Sequence, residues 1–443
     1  VTVVQPAWQR IDGLVRWCRE RPSAIYWLSV PLLAVAVYAL LQHLGTYFLD
    51  LEVYRLGVQT WLAGGDPYGA LPPNSVNRPL PFIYPPFAAI VMVPLAMASW
   101  NVAWVTLFLL SLGSLALTVY LVVLRLWPSG GRAGALAVGS VALPCCLALE
   151  PVLETFRFGQ INLILMALVA ADCLVKRPRW PRGALVGLAA AIKLTPAAFV
   201  LYFVLRRDWR AAFTAAVAGA VATGIGAVIA PGPSVRYWFG GLAGAGGLSG
   251  SPFYTNQTFE AMLTRAGVAG LERTAIWAVL SLGLLLIVVP VIRRAPAPLA
   301  LVATGGFALL VSPTSWSHHW VWVVPAVLVA GVSAWRARSA GWTLVSAVLW
   351  VTFVVAVHQF LPHDDQKELT WSGWEQVVGS SYVLVAVGLF VAVFLVWRGR
   401  PVAGSGAVSG SAVSGSEHDP AERQAGQQGD AEDAPTDRGG AHR

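Results

Sequence analysis

Charge is what this chain lacks most. Only 12% of its 443 residues are Asp, Glu, Lys or Arg. A soluble protein carries roughly 25%, so this one cannot cover a water-facing exterior. Lysine is nearly missing, with Lys176, Lys193 and Lys367 the whole complement. The basic balance of +8 would suggest nucleic acid in a soluble protein. Here the arginines fall mostly between apolar runs, where they mark cytoplasmic loops instead, and no nucleic-acid partner is expected. Cys18, Cys145, Cys146 and Cys173 show neither zinc nor disulfide spacing and read as packing residues. Also absent are a Gly-rich phosphate loop ending in Gly-Lys-Ser/Thr, an Asp-x-Asp within a water-soluble domain, and a Gly-x-Ser-x-Gly elbow. An activated donor, if the chain uses one, is therefore expected as a lipid from within the membrane. No internal repeat or inverted symmetry is visible, which argues against a transporter.

What remains is apolar. Hydrophobic residues make up 56% of the chain and the mean hydropathy is +0.64, the composition of an integral membrane protein. A span needs about 20 apolar residues. The first, Ala24–Leu44, follows Arg10, Arg16, Arg19 and Arg21, so residues 1–23 are expected in the cytoplasm. Further crossings are expected near Val102–Leu124, Ala133–Leu149, Ile161–Val175, Ala211–Ala230, Ala275–Ile292, Leu299–Val311, Trp320–Ala334, Trp342–Val357 and Val377–Val396. With the basic linkers inside, Pro86–Ser99 and Gly183–Leu205 do not cross and read as half-helices or re-entrant loops, broken at Pro94 and Pro196. The alternative, in which both cross, moves two basic linkers outside. The expected fold is an all-α polytopic membrane protein of about ten to twelve spans with interfacial loop helices. Residues 24–400 form its catalytic domain, with a first outer loop at 45–85. Residues 401–443 turn to Gly, Ser and charged residues and read as a disordered cytoplasmic tail.

This orientation puts five polar clusters on one face: Asp50-Leu-Glu-Val-Tyr54-Arg55, Phe82-Ile-Tyr84-Pro-Pro86, Arg157-Phe-Gly-Gln160-Ile-Asn162, Asn256-Gln257-Thr258 and Ser312-Pro-Thr-Ser-Trp316-Ser-His318-His319. Asp50 and Tyr54 share a helix face at i,i+4, whereas Glu52 points elsewhere, toward Arg55 or toward neither. The two acids therefore make no carboxylate dyad. Asp50 is the candidate catalyst, the competing reading being a helix N-cap. Lys193 lies mid-way along an apolar segment, where an ammonium costs roughly 2.5–3.5 kcal/mol to insert. It suits a lipid phosphate, unless it snorkels to the interface. His318 and His319 suit a phosphate or a proton shuttle, or merely an aromatic belt with Trp316 and Trp320. No metal-ligand spacing accompanies them. Gln160, Asn162, Asn256 and Gln257 are neutral groups that meet either sugar hydroxyls or frayed helix ends.

Together with Gly65-Asp-Pro-Tyr68 and Ile192-Lys-Leu-Thr-Pro196, the order of these motifs resembles the actinobacterial polyprenol-phosphate-mannose-dependent α-1,2-mannosyltransferases. These are GT-C glycosyltransferases of family 87, and the resemblance covers about residues 24–400. It implies a GT-C-type bundle in the plasma membrane with its site on the periplasmic face and both termini cytoplasmic. It implies an inverting transfer of mannose from a β-linked polyprenyl phosphate to the 2-hydroxyl of a mannosylated phosphatidylinositol or lipoglycan acceptor. Asp50 would be the general base. Lys193, His318, His319 and Arg55 would meet the donor phosphate. Tyr54, Tyr84, Gln160, Asn162, Asn256, Gln257 and Trp316 would contact sugar or acceptor. No metal or cofactor is expected beyond the lipid-linked donor. An arabinofuranosyl- or glucosyltransferase would share these features, and a lipid-sugar flippase would share the composition.

Overall fold

The computed structural model describes residues 9–10, 12–13, 15–17, 20–44, 48–77, 80–241 and 250–397. Cys18 and the tail expected at 401–443 lie outside the described residues. Long apolar runs without β alternation give helices, and among the described residues no strand forms beyond a single bridge between Asn256 and Trp316.

In chain order the α-helices of seven or more described residues are α1 (Pro22–His43), α2 (Leu49–Leu62), α3 (Pro86–Met97), α4 (Trp100–Leu126), α5 (Gly131–Cys146), α6 (Glu150–Phe158), α7 (Asn162–Leu174), α8 (Ala184–Ile192) and α9 (Phe199–Leu205). They continue with α10 (Trp209–Ile229), α11 (Phe259–Arg265), α12 (Gly270–Arg294), α13 (Ala297–Val311), α14 (Val323–Ala337), α15 (Ala340–Val355), α16 (Gly373–Gly379) and α17 (Ser381–Trp397). A 3-10 turn, Ser317–Trp322, leads into α14.

Among the described residues six helical stretches are long and apolar enough to cross a membrane, or eight if each of two bent pairs is one span. Four shorter apolar helices account for the other segments read from the sequence. Trp27, Phe213, Val228 and Leu286 stand exposed on the long helices, a surface suited to lipid tails. The bent pairs turn by 74° between α5 and α6 and by 69° between α16 and α17. The first of these bends turns α6 away from α5 and leads into Gln160 and Asn162, both buried.

The two segments that resisted crossing differ in their breaks. The 12 residues of α3 rise only about 18 Å at 1.5 Å each, too short for a hydrocarbon core of about 30 Å. Pro94 does not break α3; the chain turns at Ala98 and Ser99, both extended in ψ. The second segment does break as expected. Helix α8 stops at Lys193, which is extended at φ −147° and ψ 129°. Pro196 then sits in the first turn of the 3-10 run Thr195–Ala198 before α9.

Small residues let the helices approach closely. A Cβ on Gly187 of α8 would sit 2.3 Å from the Ala215 carbonyl of α10, the backbone-to-backbone packing that membrane helices favour. At the end opposite the polar clusters, the basic linkers interlock. Asp172 is buried and accepts from the Gly183 and Val186 amides and from the Trp180 indole, capping α8 from another helix. Arg182 closes the Lys176–Arg182 loop on the carbonyls of Asp172, Val175 and Lys176. Arg206 caps the end of α12 through Ile292 and Ala295, and Arg336 reaches Leu126.

Candidate active site

The five polar clusters converge. Helix α2 presents Asp50 and Tyr54 on one face, as their spacing requires. The Tyr54 hydroxyl lies 2.8 Å from that of Tyr84 and donates to Gln160 Oε1 at 2.8 Å. Tyr84 reaches the same oxygen at 3.1 Å. Tyr84 is held in turn by the Tyr68 hydroxyl on its carbonyl, at 2.9 Å. Gln160 can meet α2 because Gly159 ends α6 in the left-handed region at φ +66°, and a Cβ there would lie 2.9 Å from Leu51 Cβ. Only glycine satisfies both conditions.

Lys193 faces the same place from the break after α8. Its Nζ donates to Asn162 Oδ1 at 2.9 Å, lies 3.1 Å from His319 Nε2 and stands 5.5 Å over the Tyr84 ring. An ammonium has no lone pair, so His319 Nε2 accepts and its ring proton sits on Nδ1. Lys193, Asn162, Thr195 and His319 are the polar walls of a cleft of about 470 Å³, open mouth included. Leu309 and Trp322 separate it from an apolar cavity of about 760 Å³ lined by Trp320, Phe353 and Phe390 among others.

Asp50 and Lys193 feel each other's charge across Tyr84. Burial raises the Asp50 carboxyl to about 6, against the opposing pull of a Gln160 hydrogen bond and of Lys193. The arrangement thus offers a carboxylate able to accept a proton near neutrality, and a cation that can meet an anion a few ångströms away. Among the described residues no three His, Cys, Asp or Glu side chains gather as a metal site would require.

Other expected ligands are occupied elsewhere. Arg55 donates to the Leu95 and Ala98 carbonyls at the end of α3 and stacks over Trp100, so it caps a helix and does not face the cleft. Asn256 is fully buried, bonding the Ser251 carbonyl and the Ser315 amide. Gln257 bonds the carbonyls of Tyr254 and Gly379. Both hold the histidine loop in place, with Trp316 bridged to Asn256 and edge-on to Phe253. His318 packs on Phe158 at 5.1 Å and offers its carbonyl to Thr155 and Asn162; His319 is the one that lines the cleft. Glu52 pairs with neither Asp50 nor Arg55, accepting instead from the amide and hydroxyl of Ser75.

Residues 82–313 match the model of glycosyltransferase family 87. The chain belongs to that family. A polyprenol-phosphate-mannose-dependent alpha-(1-2)-phosphatidylinositol mannoside mannosyltransferase of Mycobacterium tuberculosis is 37% identical over 399 residues, covering 86% of this chain and 91% of that one. The protein of the same name from Mycolicibacterium smegmatis is 39% identical over 377 residues, 80% of this chain and 85% of that one. A polyprenol-phosphate-mannose-dependent alpha-(1-2)-phosphatidylinositol pentamannoside mannosyltransferase of M. tuberculosis is 32% identical over 360 residues, 77% of this chain and 80% of that one.

This family 87 glycosyltransferase also carries a buried acid that the sequence reading passed over. Glu150 accepts from Gln359 at 2.6 Å and from Tyr382 at 2.8 Å, tying α6 to the last helices. It stood at the end of an apolar run, where a carboxylate is expensive. That was the available signal.

Proposed function

We propose that this chain transfers mannose from a polyprenyl-phosphate-mannose donor to the 2-hydroxyl of a mannose on a phosphatidylinositol mannoside. The observation that carries the reading is a proton acceptor near a cleft with a lysine in its wall, in a chain 37–39% identical to enzymes named for that reaction. Asp50 takes the proton from the acceptor hydroxyl, whose oxygen attacks the anomeric carbon of the β-linked donor. The bond from that carbon to the phosphate oxygen breaks, and its electron pair leaves with polyprenyl phosphate. Configuration inverts, giving an α-1,2 linkage, and the Asp50 proton later passes to water.

Lys193 and His319 meet the phosphate as its second negative charge develops, the kind of electrostatic stabilisation that counts most in a water-poor site. No metal is assigned to that task. The apolar cavity behind Leu309 and Trp322 suits the first isoprene units of the donor. The interlocked arginines at the far end of α4, α7, α12 and α14 favour a cytoplasmic location there, which supports a site on the periplasmic face. A phosphatidylinositol mannoside other than the pentamannoside is favoured as acceptor, since identity is higher to the relatives not named for the latter.

The test is transfer from radiolabelled polyprenyl-phosphate-mannose by purified protein in liposomes, wild type beside Asp50→Asn. A product sensitive to α-1,2-mannosidase, lost in the variant while donor binding persists, is expected. Transfer by Asp50→Asn at the wild-type rate would remove Asp50 as the base.

A further inference from the structure

The sequence suggested Tyr54, Tyr84 and Gln160 as sugar contacts, yet in the structure these three spend their polar atoms largely on one another. All are buried. The carbonyl end of the Gln160 side chain takes the Tyr54 hydroxyl at 2.8 Å and the Tyr84 hydroxyl at 3.1 Å. The Tyr54 oxygen also interacts with the Ile161 amide, which leaves its own proton for Gln160. A primary amide has one acceptor end and one donor end. With the acceptor end fixed by two phenols, the donor end is what remains for Asp50, which lies one turn before Tyr54 on the same face of the helix Leu49–Leu62 and near enough for the amide to favour its ionised form. Rotating the amide by half a turn would set its oxygen against that carboxylate.

We propose that Gln160 is a positioning residue for the base, its amide locked by Tyr54 and Tyr84 so that the NH2 end holds one Asp50 oxygen and leaves the other for the acceptor hydroxyl. This rests on Asp50 being the base, as argued above. The lock keeps Asp50 ionised and fixes its direction; it does not itself touch the reacting atoms. The other groups facing Asp50 are Lys193 and the two phenols. On neighbouring helices, Arg157 pairs with Glu154 and Arg55 with the end of α3, while His319 stands behind Lys193.

A donor to the charged form lowers a carboxyl pKa, so losing that donor raises it. The experiment is the pH profile of kcat/KM for the full chain in liposomes, with polyprenyl-phosphate-mannose and a dimannosylated phosphatidylinositol. Gln160→Met keeps the side-chain length and removes the NH2. Its acid limb is expected to move up by about one pH unit, with activity recovering to within about threefold of wild type at pH 8 and acceptor KM within about twofold. The double variant Tyr54→Phe with Tyr84→Phe keeps both rings and Gln160 while freeing the amide, and its limb should move in the same direction.

An unmoved limb with acceptor KM raised about tenfold or more would make Gln160 a direct sugar ligand and overturn the proposal. So would activity lost equally at every pH while donor binding persists. Should Gln160→Met fail to bind donor, the double phenylalanine variant decides, and an unmoved limb there overturns the lock. Asp50→Asn is run beside them: full activity in that variant defeats the base assignment, whereas a dead Asp50→Asn with an unmoved Gln160→Met limb defeats only the lock.

Discussion

Replacing Lys193 by Met tests the electrostatics of the cleft. The ammonium lies 2.9 Å from Asn162 Oδ1 and 3.1 Å from His319 Nε2, and it lines the cleft wall. A phosphate oxygen about 4 Å from it would interact by about 4 kcal/mol per unit charge at an effective dielectric of about 20. The donor phosphodiester carries one negative charge and gains a second as the bond to the sugar breaks. With that bond about half broken, the additional half charge is worth about 2 kcal/mol, or about thirtyfold in rate. The charge already present in the ground state contributes to donor KM, reduced by desolvation. Lys193→Met should therefore lower kcat about thirtyfold and raise donor KM, measured as initial rates of radiolabel transfer in liposomes. The variant also strips a donor from Asn162 Oδ1, at about 1–3 kcal/mol, so thermal unfolding is followed in parallel. A kcat within about threefold of wild type at unchanged KM would mean that the lysine only snorkels, and the phosphate assignment would fall.

Three further outcomes follow from the geometry. With the Asp50 carboxyl raised to about 6 by burial, the base is ionised above that pH and protonated below it; kcat/KM should therefore rise through about 6 to a plateau, and a flat profile from pH 4.5 to 8 would contradict this. Gly159→Ala puts a Cβ 2.9 Å from Leu51 Cβ at a φ of +66°, so roughly 2–4 kcal/mol of destabilisation is expected from strain and overpacking together, read as a lower thermal midpoint. Arg55→Leu should lower stability by about 1–3 kcal/mol, because two carbonyls at the end of α3 lose their donor, yet leave donor KM within about twofold of wild type; a several-fold rise in donor KM would return Arg55 to the phosphate.

How much could be read from the sequence depended on whether a residue's partner was near in the chain. Asp50 and Tyr54 share a face because 3.6 residues make a turn, and that periodicity is visible in the letters. Lys193 was conspicuous because an ammonium in an apolar run has few innocent explanations. The pair His318 and His319 stood out as adjacent rings, but which of them lines the cleft depends on the twist of a 3-10 turn, and no periodicity announces that. Asn256 and Gln257 were misdirected for a related reason. A neutral amide bonds a sugar and a backbone carbonyl equally well, and here the partners, Ser315 and Gly379, come from distant segments. Arg55 went the same way, its carbonyl partners lying forty residues on. Among the spans, length was legible and bending was not: the turn between α5 and α6 falls at Leu147–Leu149, three apolar residues that simply continue the run of α5.

That turn has a consequence for how substrates arrive. Because α6 turns by 74° from α5, Gln160 just beyond it meets Tyr54 of α2, and the proposed site gathers where the ends of apolar helices meet. Both proposed reactants are themselves lipids, so they would reach such a site by wandering within a sheet, never through bulk solution. The relevant abundance is then molecules per unit of membrane area. Crowding the donor into a thin leaflet raises its encounter frequency without any tightening of the cleft. Such a site would work with loosely held substrates and return its spent carrier sideways to the layer that supplied it.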